Sequence, residues 1–205
     1  MTKYTFIHPT KSGGTALENY FEKHYSDYIS GIGHENICSN NNSPIIVVRD
    51  VKSRFFSMFK FWKNGAIDTS FKRNDEFKKK YEYFTIFDFI YLVENREPDL
   101  YHEFTWASHF DTTTKWLGET DYENIIVIQY DNDLNSKIQS LIDYLGIPNK
   151  NIPLLKQNVS VDISDENILL LDDLALNKFI EKYFKNDIEL LNTIKTNPEK
   201  FKIVI

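Results

Sequence analysis

The chain has 205 residues, of which 41% are hydrophobic and 15% aromatic, enough to bury one substantial core. Its formal net charge of -6 argues against general binding to nucleic acids or to anionic membranes. The single cysteine excludes an internal disulfide framework and favours a reducing compartment. There is no signal-peptide pattern and no run of about 18 apolar residues, so we expect a cytoplasmic protein without a membrane span. The length and the lack of a linker predict one domain over residues 1–205.

The first predicted elements are a short buried strand, a tight turn and a helix over about 14–25. The turn reads His-Pro-Thr-Lys-Ser-Gly-Gly-Thr over residues 8–15. Its two glycines allow a ligand to approach the backbone closely, its hydroxyls and lysine are suited to an anion, and the first N–H groups of the helix point to the same place. We therefore predict an anion-binding cradle formed by Lys11, Ser12, Gly13, Gly14, Thr15 and Ala16.

Two further strands are predicted from continuous β-branched runs. Ile45–Val48 is bounded by a proline and a charged residue, which is typical of a strand buried on both faces of a parallel sheet. Residues 124–130 show the same pattern. The first of these runs leads directly into Arg49, and ligands of open α/β sheets bind at the carboxyl ends of the strands.

Helical periodicity fills most of the remaining chain. Gly146 is expected to end one helix as a C-terminal cap. A charged, Lys/Arg-rich loop is expected over 63–83, and a further loop over Ser26–Pro44. The predicted helices cover about 51–62, 84–93, 102–117, 131–145, 165–175 and 176–193. Strands that alternate with helices indicate an α/β fold with a central, mainly parallel sheet.

Arg49 and Ser57 form a second candidate anion site. The arginine follows a predicted strand, and the serine lies eight residues later, in the helix that begins about Val51. Both side chains can reach one phosphate at this spacing, the arginine through paired charge-assisted hydrogen bonds.

Both motifs resemble the nucleotide-binding motifs of one enzyme family. Residues 8–17 are similar to the 5′-phosphosulfate loop of the sulfotransferases, although Pro9 stands one place early and Thr10 occupies the usual proline position. The segment Arg49–Ser57 resembles the 3′-phosphate motif of the same family. The stretches 125–134 and 142–146 are similar to the late strand and helix of carbohydrate-type sulfotransferases. The resemblance implies a three-layer αβα, P-loop-NTPase-like fold.

The resemblance also implies a reaction. Sulfotransferases move a sulfuryl group in line from 3′-phosphoadenosine 5′-phosphosulfate (PAPS) to a hydroxyl or amine. Lys11 and the N–H groups of residues 12–16 would stabilise the charge on the leaving phosphate, and Arg49 with Ser57 would bind the 3′-phosphate. The scheme needs no metal, and no His or carboxylate cluster has metal-ligand spacing.

The acceptor must also lose a proton to a general base. His34 is the first candidate, because it lies in a glycine-rich segment between the two phosphate motifs, where the family often has its catalytic histidine. Glu35 and Glu18 are alternatives, since some members use a glutamate. The predicted catalytic residues are thus Lys11 with His34 or Glu35.

Two other functions stay open at this stage. A P-loop nucleotide or small-molecule kinase would need a Gly-Lys-Ser/Thr order that the loop lacks. A non-catalytic protein of the same fold would bind PAPS, or its desulfated product PAP, without transfer. The acceptor is expected to be a carbohydrate on the resemblance alone.

Overall fold

A computed structural model describes residues 4–31, 43–63, 79, 82–95, 111–118, 120–154 and 174–205. His34 and Glu35 lie outside these described residues. The described chain divides into two compact units, each made of more than one chain segment. Unit 1 contains Met1–Asp50, Asp111–Gln157 and Asn186–Ile205, and unit 2 contains Val51–Phe110 and Asn158–Lys185. The expectation of a single domain stays a prediction.

Unit 1 is built on a five-stranded sheet in which all neighbouring strands are parallel. The spatial order is β2-β1-β3-β4-β5. The described strands are β1 (Tyr4–Ile7), β2 (Ile29–Gly31), β3 (Pro44–Val48), β4 (Ile126–Gln129) and β5 (Ile203–Val204). Because β2 and β3 lie on opposite sides of β1, the strand order reverses at β1.

Most of the described helices lie where helical periodicity predicted them, while residues 102–110 and 165–173 of two predicted helices lie outside the described residues. Two short 3₁₀ turns, Tyr122–Asn124 and Pro198–Lys200, precede β4 and β5. The helices are α1 (Gly14–Tyr25), α2 (Val51–Lys63), α3 (Ile86–Asn95), α4 (Thr113–Leu117), α5 (Leu134–Tyr144), α6 (Leu174–Tyr183) and α7 (Lys185–Thr196).

Hydrophobic side chains cover both faces of the sheet. Ile45 and Val47 of β3 pack in one cluster with Leu17 and Phe21 of α1 and with residues of α5. Ile46 and Val48 face the other way and pack with residues of α4 and α7. Alternation along a strand sends successive side chains to opposite faces, so a fully apolar run suits a sheet buried on both sides. This arrangement confirms the predicted α/β fold with helices on both faces of a parallel sheet.

Local signals set several helix ends. Gly146 has a φ of 64° and follows α5, where its N–H donates to the carbonyl of Asp143 and the next N–H donates to Ile142. This pair of bonds is a Schellman cap, as expected from the glycine. At the start of α4, the N–H groups of Thr113 and Thr114 donate to the buried carboxylate of Asp187, at 2.8 and 3.0 Å.

Unit 2 has an aromatic core. The Phe55 ring of α2 packs near the rings of Phe89 and Phe179, with centroids 5.4 and 5.1 Å away. Helix α3 begins with a reciprocal cap, in which the Thr85 N–H donates to Asp88 and the Asp88 N–H donates to the Thr85 hydroxyl. Hydrogen bonds to the Asp88 carboxylate from the Thr85 hydroxyl, at 2.7 Å, and from the Thr85 N–H lower the pKa of the carboxyl from its ordinary value.

Some elements differ from the sequence expectations. Strand β2 falls in a stretch predicted to be loop, and β5 was not predicted, because three or two residues show too little alternation to be recognised. The single helix predicted over 176–193 is two helices, α6 and α7, which are separated at Phe184. None of the described helices is long and apolar enough to cross a membrane.

Candidate active site at the strand ends

The candidate site lies at the carboxyl ends of β1, β3 and β4. The sheet order reverses at β1, and open α/β sheets bind ligands at such reversal points. The loop of residues 8–13 leaves β1 at this edge, Arg49 follows β3, and Tyr130 follows β4. Two motifs that are 38 residues apart in the chain are joined here by a hydrogen bond from Arg49 Nη1 to the carbonyl oxygen of Lys11, at 3.2 Å.

The loop backbone has an unusual conformation. Lys11 has a φ of 62° and Gly13 a φ of 83°, so two left-handed residues flank Ser12. A left-handed lysine is strained relative to glycine, and such strain persists only where the surroundings hold it. The Arg49 bond to the Lys11 carbonyl is one contact that holds this residue.

Helix α1 begins without a capping side chain. Its N-cap is Gly13, which has no side chain to accept a hydrogen bond from the first turn. The first turn of α1 contains no acidic residue. The first N–H groups of any α-helix have no carbonyl partner within the helix, and the helix dipole adds positive potential there. The start of α1 is therefore suited to an anionic group.

The two loop glycines are required by close packing. A Cβ on Gly13 would lie 2.3 Å from the Tyr130 ring, and a Cβ on Gly14 would lie 1.9 Å from the His8 ring. Both distances are far shorter than a van der Waals contact. Any larger residue would have to displace an aromatic ring, so both glycines serve packing as well as conformation.

Arg49 is a half-buried cation at the same edge. Its guanidinium carbon lies 5.0 Å from the centroid of the Tyr130 ring, within the range of a cation–π interaction. Burial lowers the pKa of Arg49, while Tyr130 and Asp50 act in the opposite direction. Arginine stays charged across the physiological range, so the site keeps a fixed positive charge.

The turn after β4 is held by a lysine. Lys137 of α5 contacts the Asp131 carboxylate at 2.6 Å and donates to the Gln129 carbonyl at 3.0 Å. The hydrogen bond from Lys137 lowers the pKa of Asp131. The backbone N–H of Tyr130 donates to the carbonyl of Val48 at 2.7 Å. These bonds fix Tyr130 beside Arg49 and Gly13.

The remaining predicted site residues are placed differently. Ser12 is buried, and both its hydroxyl and its N–H donate to the carbonyl of Pro9. Thr15 and Ala16 are half-buried in the first turn of α1, and Ser57 is half-buried on α2 in unit 2. Cofactor binding by these residues stays a prediction.

Glu18, the third candidate base, contacts a buried histidine. Its Oε2 lies 3.2 Å from Nε2 of His8, whose side chain is 2% exposed. Sequence reasoning assigned no site role to His8 or Tyr130. Their position in the sequence could have indicated a site role, because each residue directly follows a strand of the parallel sheet.

A scan of protein-family models matched one family, described as the sulfotransferase domain, over residues 20–202. The chain belongs to the sulfotransferase family. Comparisons with curated proteins and with solved structures gave no match. Members of this family are PAPS-dependent sulfotransferases, and the protein is an enzyme of this class.

The sulfotransferase match covers most of the chain but begins after the loop. It includes Arg49, Ser57 and Tyr130, whereas residues 8–17 precede it. The assignment of the loop therefore depends on its own sequence and on its contact with Arg49. In the described part of this sulfotransferase, no three His, Cys, Asp or Glu side chains are grouped so as to hold a metal ion.

Proposed function

We propose that this sulfotransferase transfers a sulfuryl group from PAPS to a hydroxyl or amine of a carbohydrate acceptor. The observation that carries the proposal is the hydrogen bond between Arg49 and the Lys11 carbonyl. It joins, at one edge of one sheet, the two motifs that resemble the family's binding motifs for the two phosphate ends of the donor.

The loop fits the phosphosulfate end of the donor. The first turn of α1 provides N–H groups that have no carbonyl partner within the helix, together with a favourable dipole. Gly13 and Gly14 have no side chain that would keep a ligand away from the backbone. Lys11 adds a positive charge at the rim, and PAPS supplies the activated sulfuryl group.

The 3′-phosphate is assigned to Arg49 and Ser57. A half-buried guanidinium binds phosphate with two parallel hydrogen bonds, which lysine cannot do. The cation–π contact with Tyr130 restrains the guanidinium before the nucleotide arrives. Ser57 is the second ligand by its spacing from Arg49 and by the family resemblance.

The transfer itself needs charge stabilisation and a base. As the acceptor oxygen or nitrogen bonds to sulfur, the bond from sulfur to the phosphate oxygen breaks, and Lys11 and the N–H groups of α1 stabilise the charge left on that oxygen. The acceptor proton passes to a base, for which His34 is the first candidate and Glu35 the second. A positioned base contributes about 10²- to 10⁴-fold.

A carbohydrate acceptor is proposed from sequence resemblance. The stretches 125–134 and 142–146, which contain β4 and the end of α5, are similar to carbohydrate-type sulfotransferases. A cytoplasmic location is part of the same proposal and is supported by the single cysteine.

The decisive experiment is calorimetric titration with PAP in the absence of magnesium. We expect micromolar binding to the wild type and a loss of affinity in Arg49→Ala and Lys11→Ala. Lys115→Ala is the matched control, because Lys115 is 60% exposed and paired with Asp111, so only a surface charge is removed. An acceptor screen with PAPS follows, in which Lys11→Ala should lower turnover roughly 10²- to 10³-fold.

Each alternative has its own outcome. Binding of ATP with magnesium, together with no binding of PAP, would contradict the proposal and favour a kinase. Binding of PAP without turnover on any acceptor would indicate a non-catalytic nucleotide-binding protein. Turnover that persists in His34→Ala and is lost in Glu35→Gln would assign the base to Glu35.

A further inference from the structure

A buried histidine and a partly exposed carboxylate are paired beneath the loop. His8 directly follows β1 and is 2% exposed, and its Nε2 lies 3.2 Å from Oε2 of Glu18, which is 23% exposed. An ionised carboxylate can only accept a hydrogen bond, so His8 carries a proton on Nε2 when Glu18 is ionised. A buried polar ring has to be hydrogen-bonded, because an unsatisfied one is costly.

Each member of this pair also touches a glycine. The His8 ring occupies the position that a side chain on Gly14 would take, 1.9 to 2.2 Å from an ideal Cβ there. The Glu18 carboxylate and its Cγ occupy the same kind of position at Gly31, with Oε1 2.2 Å from an ideal Cβ. Gly14 is the first residue of α1, and Gly31 is the last residue of β2.

The pair therefore links three neighbouring pieces of unit 1. His8 extends from β1, Glu18 lies in the second turn of α1, and Gly31 pairs in the sheet opposite Phe6 of β1. The His8 ring also lies near the Phe6 ring, with centroids 5.6 Å apart. The histidine is thus wedged between the core and the start of the helix that carries the uncapped N–H groups.

We propose that Glu18 is a positioning residue for the donor. Glu18 orients the His8 ring. The ring in turn fixes the position of Gly14 and of the first turn of α1, so that the first N–H groups of the helix are placed to contact the phosphosulfate. The Gly31 backbone confines the carboxylate from the other side. This inference rests on the proposed function of the loop, and it assigns to Glu18 a role different from that of the general base.

The test uses PAP affinity, measured by calorimetry, in four variants. Glu18→Ala removes the hydrogen bond to His8, and Gly31→Ala adds a methyl group where the carboxylate lies. Glu18→Gln keeps an oxygen that accepts from His8 and nearly the same shape. Glu22→Ala is the matched control, because Glu22 is an exposed glutamate one turn further along α1.

We expect Glu18→Ala and Gly31→Ala to weaken PAP binding roughly tenfold, about the value of one hydrogen bond to a charged group. Glu18→Gln and Glu22→Ala should bind PAP like the wild type. Unchanged PAP affinity in both Glu18→Ala and Gly31→Ala would overturn the proposal. An equal loss of PAP affinity in Glu18→Gln and Glu18→Ala would also overturn the proposal, because the variant that keeps the shape and the hydrogen-bond acceptor would then fail to restore binding.

Thermal melting of the variants distinguishes a positioning role from a purely structural one. Binding of PAP by the wild type tests the proposed function itself. A purely structural role predicts a lower melting temperature with normal PAP affinity, as expected for Ile194→Val in the α7 core. Failure of the wild type to bind PAP would contradict the proposed function itself. If Glu18→Ala does not fold, Gly31→Ala and Glu18→Gln still test the positioning role, because both variants keep a side chain of nearly the same length and shape at position 18.

Discussion

The candidate site has two halves that are built in different ways. The loop half, residues 8–16, is proposed to bind through its backbone, and it has two left-handed residues and two glycines packed against aromatic rings. The arginine half, Arg49 and Tyr130, is proposed to bind through side chains placed at the ends of β3 and β4. The two halves meet at the hydrogen bond from Arg49 to the Lys11 carbonyl.

This difference determines how each half responds to mutation. A site formed by backbone groups depends on the exact backbone conformation. One added methyl group therefore changes the position of every N–H group that the site presents to a ligand. A side-chain site loses one interaction at a time and leaves the sheet beneath it intact. We therefore expect all-or-none effects in the loop half and graded effects in the arginine half.

The largest effect is expected at the loop glycines. Gly13→Ala places a side chain in the left-handed region and 2.3 Å from the Tyr130 ring. The combined strain and overpacking should lower the free energy of unfolding by about 2–4 kcal/mol. Binding of PAP should be lost altogether. Urea unfolding and calorimetric titration measure the two effects.

Gly146→Ala is the matched control for this prediction. Its φ of 64° imposes similar strain, but nothing lies within 4 Å of the added Cβ. The cost should be about 1–2 kcal/mol, with normal PAP affinity. Normal PAP affinity in Gly13→Ala as well would show that the loop is not a backbone site.

An intermediate effect is expected at Tyr130. Tyr130→Leu removes the ring on which Arg49 rests and should cost about 0.5–2 kcal/mol of PAP binding, at most roughly thirtyfold in affinity. Tyr130→Phe keeps the ring and should bind PAP nearly as well as the wild type. If the phenylalanine variant loses as much affinity as the leucine variant, the hydroxyl rather than the ring is responsible.

The smallest effect on PAP affinity is expected at Tyr20, on the core side of α1. Burial, with a contribution from the hydrogen bond to Tyr25, raises the pKa of Tyr20 to about 12. Since the unfolded-state pKa is about 10, the stabilisation is complete below about pH 10 and is lost as the pH rises toward 12. Tyr20→Phe should lack this alkaline loss in urea unfolding and bind PAP normally at neutral pH.

A control is needed because other tyrosines and lysines also titrate in this range. The comparison is therefore between the pH profiles of the wild type and Tyr20→Phe, and identical profiles would refute the assignment. The variant also removes the hydrogen bond from Tyr20 to the Ile152 carbonyl, so an offset of about 1 kcal/mol is expected below about pH 10, where the Tyr20 hydroxyl keeps its proton.

Much of the fold could be predicted because its signals are local. The β-branched run Ile45–Val48 and the periodic helix that ends at Gly146 both appear in the structure where expected. The edge strands β2 and β5 could not be predicted, since they have three and two residues and depend on pairing with a neighbouring strand. The split at Phe184 is likewise a tertiary feature, because the helical periodicity continues across it.

The sequence by itself determined the loop motif, the position of Arg49 at the end of a strand and the α/β fold class of the protein. These depend on neighbouring residues, whose types and spacing are visible in the chain. Only the tertiary structure decided that Tyr130 supports Arg49 and that His8 and Glu18 are paired behind Gly14. Such contacts join residues from different elements, and parallel pairing of the strands is what brings those elements to one edge.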